Sequence, residues 1–207
     1  MMEETQLGKP IPKTVADIAF IGTDLILLAI IVQVTRFFPS LEPIANYALL
    51  GIPIGIVIQL IAYFKLAKEW EDAKTRAYAL AYALSLGSSF FMLAISAVVI
   101  YLSLPEGTQG IGLLEFIKSL PDLGFEVIFI IFLTYVTFVG DGLMFYMLHK
   151  HLHEVSGIKE FRTSGLLMRI GTLLLIVGIG ILLIIASLGL QILLWGKIKG
   201  QYEQDSF

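Results

Sequence analysis

The sequence contains no cysteine among its 207 residues, which excludes disulfide bonds and metal sites built on thiolates. Charged residues are also scarce, at 15% of the chain against about 25% in soluble domains. The formal net charge is -3, so the chain lacks the basic excess that is typical of proteins that bind nucleic acids. We therefore expect no nucleic-acid partner.

Catalytic signatures are missing as well. The sequence has no HExxH zinc motif, no GxSxG nucleophile turn and no phosphate-binding glycine loop. No residue pattern predicts a cofactor. The sequence therefore favours a protein that is not an enzyme.

Long hydrophobic runs are what the chain does have, and hydrophobic residues make up 57% of it. In the last run, residues 165–195, Arg169 is the only charged residue. About 20 apolar residues suffice for a helix to cross the hydrocarbon core, and five runs in this chain reach that length. The predicted transmembrane helices cover about residues 15–38, 44–64, 77–104, 125–148 and 165–195.

These runs predict an all-α membrane protein in which one integral domain, residues 1–207, forms a bundle of five transmembrane helices in the cell membrane. Basic residues set the orientation, because loops rich in Lys and Arg stay in the cytoplasm. With five crossings, one side holds nine of them: Lys9, Lys13, Lys65, Lys68, Lys74, Arg76, Lys150, Lys159 and Arg162. The other side holds four: Arg36, Lys118, Lys197 and Lys199. We therefore expect a cytoplasmic N-terminus and a C-terminus outside.

Small residues recur within the apolar runs. Gly51 and Gly55 form a GxxxG pair, and Gly171 and Gly178 are seven residues apart. Small residues let helices approach closely in lipid, where packing replaces the hydrophobic effect. These four glycines are predicted to lie at helix contacts.

Four polar residues fall inside the predicted spans: Asp24, Gln59, Asp141 and Arg169. Ionisable groups within a membrane are costly and often mark function. All four are predicted to lie in the cytoplasmic half of the bundle. One interpretation is a polar site that opens to the cytoplasm. The other is an ion pair between Asp141 and Arg169 that fixes the fourth helix against the fifth.

Three histidines cluster at His149, His151 and His153. The first and third are four residues apart, so they share a helix face, and such a pair can bind a transition metal. A polar end to the fourth helix explains them equally well. We predict no metal site.

The segment from His151 to Ile192 resembles an archaeal family of multi-pass membrane proteins with no assigned function, domain-of-unknown-function family 996. A polar turn is followed by Phe161-Arg162-Thr163-Ser164-Gly165-Leu166-Leu167, then by Ile170-Gly171 and a long apolar helix. The resemblance implies a five-helix layout and supplies no activity, ligand or catalytic residue.

Two functions stay open on this reading. The first is a non-enzymatic accessory or scaffold subunit of a membrane assembly. Its partners would be membrane lipid and either other membrane subunits or further copies of the chain. The second is a small oligomeric transporter or channel that uses the polar residues of the cytoplasmic half.

Overall fold

The computed structural model describes residues 8–33, 47–48, 50–103 and 124–204, and its elements are helical. Within these residues lie six α-helices: α1 (Lys13–Gln33), α2 (Gly51–Glu69), α3 (Ala73–Ser103), α4 (Phe125–Ser156), α5 (Lys159–Leu173) and α6 (Gly180–Gln204). Five of them, all except α5, are long and apolar enough to cross a membrane. This confirms an all-α membrane bundle with five such helices.

The helices form a closed ring in chain order. Each helix packs against the next one along the chain, and α6 returns to pack against α1. The contact between α2 and α3 is the least extensive in the ring. Glycines allow the close approach of α1 and α2, where a Cβ on Gly55 would lie 2.6 Å from the carbonyl oxygen of Gly22. Gly51 lies against Ala29 of the same partner helix.

The predicted fifth helix, residues 165–195, is wrong as a continuous element, because the chain reverses within it. Helix α5 ends at Leu173, a short 3-10 turn covers Leu175–Val177, and α6 begins at Gly180. The two helices run antiparallel, since Ser164 of α5 hydrogen-bonds Ser187 of α6, with 2.8 Å between the Ser187 hydroxyl and the Ser164 carbonyl oxygen. They form a helical hairpin.

Gly178 makes the reversal possible and does not pack a helix, contrary to the prediction. Its φ is +79°, a left-handed conformation that side chains disfavour, and a Cβ there would meet nothing within 4 Å. Gly171 does lie at a helix contact, because a Cβ placed on it would be 3.0 Å from the carbonyl oxygen of Gly180.

The apex of the hairpin satisfies its own backbone. The N–H groups of Val177, Gly178 and Gly180 donate to carbonyl oxygens within Leu174–Leu175, at 2.9–3.2 Å. Broken helical backbone is costly in hydrocarbon unless its polar groups find partners. The apex therefore sits among exposed apolar side chains, such as Ile176 and Ile179, without presenting these donors to lipid.

Both described chain ends lie at the same end of the bundle, which corrects the expectation that they are on opposite sides. The Tyr202 hydroxyl donates to the carbonyl oxygen of Ile11 at 2.7 Å, and Lys199 pairs with Asp17 at 3.7 Å. The α2–α3 turn is there too, because the Lys9 ammonium donates to the Trp70 carbonyl oxygen. We call this the basic end.

We expect a reporter fused after residue 207 to lie in the cytoplasm, together with one fused before residue 1. The hairpin moves Lys197 and Lys199 to the basic end, so eleven of the fourteen basic residues gather there, the nine counted above and these two. The positive-inside rule then places this end in the cytoplasm. Paired alkaline phosphatase and fluorescent protein fusions measure it, with fusions after residue 110 as the control for the other side. A C-terminal fusion active outside the cytoplasm would contradict the hairpin.

Candidate functional site

The structure separates the four predicted polar residues into two groups. Gln59 and Asp141 are buried and face the inside of the ring. Asp24 on α1 and Arg169 on α5 are exposed on its outside. The four residues thus do not form one site.

A central cavity of about 500 Å³ lies within the ring, and every helix contributes to its wall. Its lining is mostly aliphatic and aromatic. The apolar members include Ile26, Ile30, Ile56, Leu86, Phe138, Phe145, Met168, Ile184 and Leu188, and the polar ones are Gln59, Tyr82, Ser89, Asp141 and Thr172. Asp141 is ten residues from His151 at the basic end, about 15 Å along a helix, so the cavity lies about midway along α4.

Asp141 has one satisfied and one unsatisfied oxygen. Its Oδ1 accepts a hydrogen bond of 2.5 Å from the Ser85 hydroxyl of α3. Its Oδ2 is buried and lies near the Ser89 hydroxyl one turn further along α3, but the two atoms form no well-aligned hydrogen bond and have no other partner among the described residues. The two residues are 6% and 2% exposed. An unpaired buried polar group is costly, so these two atoms are the chemically distinctive feature of the cavity.

The predicted ion pair between Asp141 and Arg169 is wrong. The Arg169 guanidinium lies over the ring of Tyr146, 5.3 Å from its centre, on the outer side of the α4–α5 contact. Helix α5 presents Thr172, not Arg169, to α4 at the cavity, where Thr172 meets Gly142. The two charges match in depth but lie on opposite sides of the helix wall.

Gln59 belongs to a hydrogen-bonded string that ties four helices together. Its side-chain amide donates to the Thr23 hydroxyl at 2.6 Å and to Oε1 of Gln191 at 3.2 Å. The Gln191 amide donates to the Ser187 carbonyl oxygen at 3.5 Å, and Ser187 bonds Ser164. Since these donors are already engaged, Gln59 holds α1, α2, α5 and α6 in register.

The histidines have separate partners. His149 is fully buried, its Nε2 is 2.8 Å from the Tyr63 hydroxyl and its Nδ1 is 3.3 Å from the Phe161 carbonyl oxygen. His153 bonds the Ile158 carbonyl oxygen, and His151 bonds Asp72. Within the described ranges, no three His, Asp or Glu side chains come together in a way that could hold a metal ion. The expectation of no metal site stays a prediction.

An aromatic layer separates the cavity from the basic end. Phe145 stacks on His149 with 3.9 Å between ring centres, and Phe161 packs edge-on against both His149 and Trp195. Tyr63 completes the layer, and all five side chains are buried. A path from the basic end to Asp141 would have to open this layer.

The lining residues that are also exposed lie at one seam. They are Pro53 on α2 and Phe90 and Leu93 on α3. This is the same α2–α3 contact that is the least extensive in the ring. The cavity is therefore closest to the surrounding lipid between α2 and α3.

Asp72 caps α3 at the basic end. Partial burial raises the pKa of its carboxyl, but hydrogen bonds from Thr75 and His151 and from the Lys74 N–H outweigh burial and lower the pKa to about 2. The Lys74 N–H is one of the free backbone donors of the first helical turn, which such a cap satisfies, and the Thr75 donor is its side-chain hydroxyl.

We expect the thermal stability of the protein to fall as the pH drops from about 4 to about 2, partly because of Asp72. An unfolded Asp has a pKa of about 3.9. The lower pKa in the folded state stabilises the fold above that value, and this stabilisation is lost on acidification. Asp72→Asn should weaken this acid dependence, and Glu71→Gln is the matched control. Thermal unfolding in detergent across this range measures it. Identical acid profiles for Asp72→Asn and wild type would contradict the role of the cap.

Sequence reasoning found Asp141 and Gln59 and missed the hydroxyl groups that accompany them. Ser85 and Ser89 are four residues apart and so share the face of α3 that meets Asp141. Thr23 adjoins Asp24 and faces inward while Asp24 faces outward. A search for hydroxyl and amide residues at helical spacing would have located both groups.

Among known families, one described as "Protein of unknown function (DUF996)" matches residues 50–188 of this chain. The match runs from the start of α2 into α6, so it includes the hairpin and most of the cavity wall. No curated protein and no solved structure matches the chain. An archaeal origin is not tested by this match and stays a prediction. Because the match covers about two-thirds of the sequence, the chain belongs to the DUF996 family of proteins of unknown function.

Proposed function

We propose that this protein is a non-enzymatic subunit of a membrane assembly, built from copies of the chain that associate within the bilayer. The observation that carries the proposal is the pair of exposed intramembrane charges, Asp24 and Arg169. Each costs about 2.5–3.5 kcal/mol near the middle of an inserted helix on insertion scales. A contact that pairs the two charges offsets part of this cost.

The two charges lie on different outer faces of the ring. Asp24 is two helical turns from Asp17, on the same face of α1. Because Asp17 pairs with Lys199 of α6, Asp24 also flanks α6. Arg169 flanks α4, because it lies over Tyr146. One copy thus carries the acid and the base on separate surfaces. A head-to-tail contact joins Asp24 of one copy to Arg169 of the next, and repetition of this contact closes a ring.

The depths of Asp24 and Arg169 along the bundle are also similar. Asp24 is seven residues beyond Asp17, and Arg169 is nine beyond Glu160. Asp17 pairs with Lys199 and Glu160 pairs with Lys197, and the two lysines are two residues apart on α6. At about 1.5 Å per residue the two charged residues differ in depth by about 6 Å. Both side chains lean toward the start of their helices, which is the basic end for α1 and α5 alike, and the longer arginine reaches further back toward the Asp24 level.

The mass of the protein in lipid nanodiscs or mild detergent, measured by light scattering, tests this. We expect wild type to be oligomeric and Asp24→Asn and Arg169→Gln each to be largely monomeric. The double exchange, Asp24→Arg with Arg169→Asp, should restore the oligomer. Asp141→Asn is the matched control, since it removes a carboxylate from inside the ring. A monomeric wild type, or a double exchange that restores nothing, would remove the support for self-assembly.

The central cavity favours a second candidate, a small transporter. All six helices surround it, and Asp141 lies about midway along α4. Because the chain has no cysteine, a single thiol can be placed in the cavity by Ser89→Cys. Reaction of this thiol with a charged, membrane-impermeant methanethiosulfonate would support a water path and transport. Reaction only with a lipid-soluble maleimide would favour the assembly role.

A further inference from the structure

We propose that the central cavity binds one amphiphile from the membrane, with an apolar body and a hydrogen-bond-donating head, an amine or a hydroxyl, seated between Asp141 and Ser89. The inference does not depend on self-assembly, because every residue it uses lies inside one copy of the ring.

The cavity has the dimensions and surface of a ligand site. Its volume of about 500 Å³ falls within the range of about 300–1,000 Å³ that is common for small-molecule sites. Such sites are mainly apolar with a few convergent polar groups. Here the apolar wall comes from all six helices, and the two polar atoms without a well-formed hydrogen bond belong to Ser89 of α3 and Asp141 of α4.

The unsatisfied atoms identify the head group. Asp141 Oδ2 and the neighbouring Ser89 hydroxyl form no well-aligned hydrogen bond with each other and have no other partner among the described residues. Ser85 occupies only the other carboxylate oxygen. Gln59, another polar residue of the lining, is committed to Thr23 and Gln191. A ligand head that enters between the two atoms can donate to Oδ2 and accept from Ser89.

The same atoms exclude an acidic head. A second carboxylate beside Asp141 would place two like charges, or two groups that compete for one proton, in an apolar wall. An ammonium head instead gives a charge-assisted hydrogen bond, and a hydroxyl head gives a neutral one. Among molecules of equal chain length, binding should therefore weaken from amine to alcohol to acid.

Access is lateral. The aromatic layer of Tyr63, Phe145, His149, Phe161 and Trp195 closes the cavity toward the basic end. The exposed lining residues Pro53, Phe90 and Leu93 stand at the weakly packed α2–α3 seam, which opens toward acyl chains. A ligand that arrives by this route is dissolved in the bilayer, which accounts for its apolar body.

Dodecylamine, 1-dodecanol and dodecanoic acid are suitable probes, because they share one chain and differ only in the head. Binding to the full chain in nanodiscs of fixed lipid composition can be measured by native mass spectrometry and by the shift in thermal unfolding temperature. We expect saturable binding of one dodecylamine per chain and weaker binding of the alcohol. The acid should show no saturable binding.

Two pairs of variants locate the site. Asp141→Asn should weaken dodecylamine binding about tenfold or more, the scale of one charge-assisted hydrogen bond. Asp24→Asn, which removes an exposed carboxylate on α1, should leave it unchanged. Ser89→Ala should weaken binding of the alcohol, and Ser88→Ala, next to it on the outside, should not. The serine pair keeps the test decisive if Asp141→Asn does not fold.

Several outcomes would overturn the proposal. These are no saturable binding of either donor probe to wild type, binding of dodecanoic acid as tight as that of dodecylamine, or equal effects of the inside and outside variants. A preference for amine over alcohol that disappears in Asp141→Asn identifies an amine ligand. Equal binding of amine and alcohol, both lost in Ser89→Ala, identifies a hydroxyl ligand.

Discussion

Gly180→Ala is expected to destabilise the protein by about 3 kcal/mol or more, the upper end of the cost of over-packing a tight contact. A Cβ on Gly180 would collide with the carbonyl oxygen of Gly171 and with the backbone of Leu174 and Leu175. Backbone atoms cannot rotate away as a flexible side chain does. The hairpin therefore has to open at its apex, and the Ser164–Ser187 contact below it is strained as well.

Gly189→Ala is the matched control, because Gly189 is on the same helix and a Cβ there would meet nothing within 4 Å. Alanine also favours a helix over glycine by about 1 kcal/mol, so this variant should be as stable as wild type or slightly more stable. Thermal unfolding in one detergent compares the two variants. Equal unfolding temperatures would mean that α5 and α6 do not meet at Gly171 and Gly180.

Trp195→Ala is expected to cost about 3–5 kcal/mol, the range for the removal of a large buried aromatic side chain. Trp195 is fully buried and packs edge-on against Phe161, with 5.2 Å between ring centres. Its loss leaves a void next to His149, whose bonds to Tyr63 and Phe161 depend on the same packing. The aromatic layer should loosen, and the cavity above it should become open to water.

Leu193→Ala is the comparison, because Leu193 is two residues away on α6 and is 72% exposed. It removes apolar volume from the outer surface, where lipid fills the space, so little change in unfolding temperature is expected. A thiol at Ser89 provides a second readout, since charged reagents should reach it faster in Trp195→Ala than in wild type. Equal unfolding temperatures for Trp195→Ala and Leu193→Ala would show that the aromatic layer does not support the fold.

Hydropathy located the apolar segments well and failed at the hairpin for a physical reason. Residues 170–196 contain no charge, so the turn at residues 174–179 is as apolar as the helices it joins. Average hydropathy does not register the reversal. The reversal is instead encoded in the backbone, where Gly178 adopts a left-handed conformation and Gly171 approaches Gly180 closely. The seven-residue spacing of Gly171 and Gly178 was interpreted as one stripe on one helix, whereas Gly171 faces Gly180 of the next helix and Gly178 lies in the turn between them.

The sequence allowed the relative depths of the polar residues to be compared, but not the side of the wall on which each lies. Depth follows from counting residues along a helix. Direction requires a polar stripe, and these helices are apolar nearly all round, because lipid and protein interior are equally apolar. Asp141 and Arg169 were therefore paired by height alone. The structure shows that one faces the cavity and the other faces outward.

The hairpin also determines the order in which the protein can be made. Because α6 packs against α1, the ring closes only when these two helices meet. A ribosome that has completed α1 to α4 has produced an open arc in which the wall that carries Asp141 is uncovered on one side. The α5–α6 pair then enters the bilayer from the side on which it was synthesised and brings an uncharged apex, so no ionised group has to be translocated. The cavity is therefore complete only after α6 has inserted.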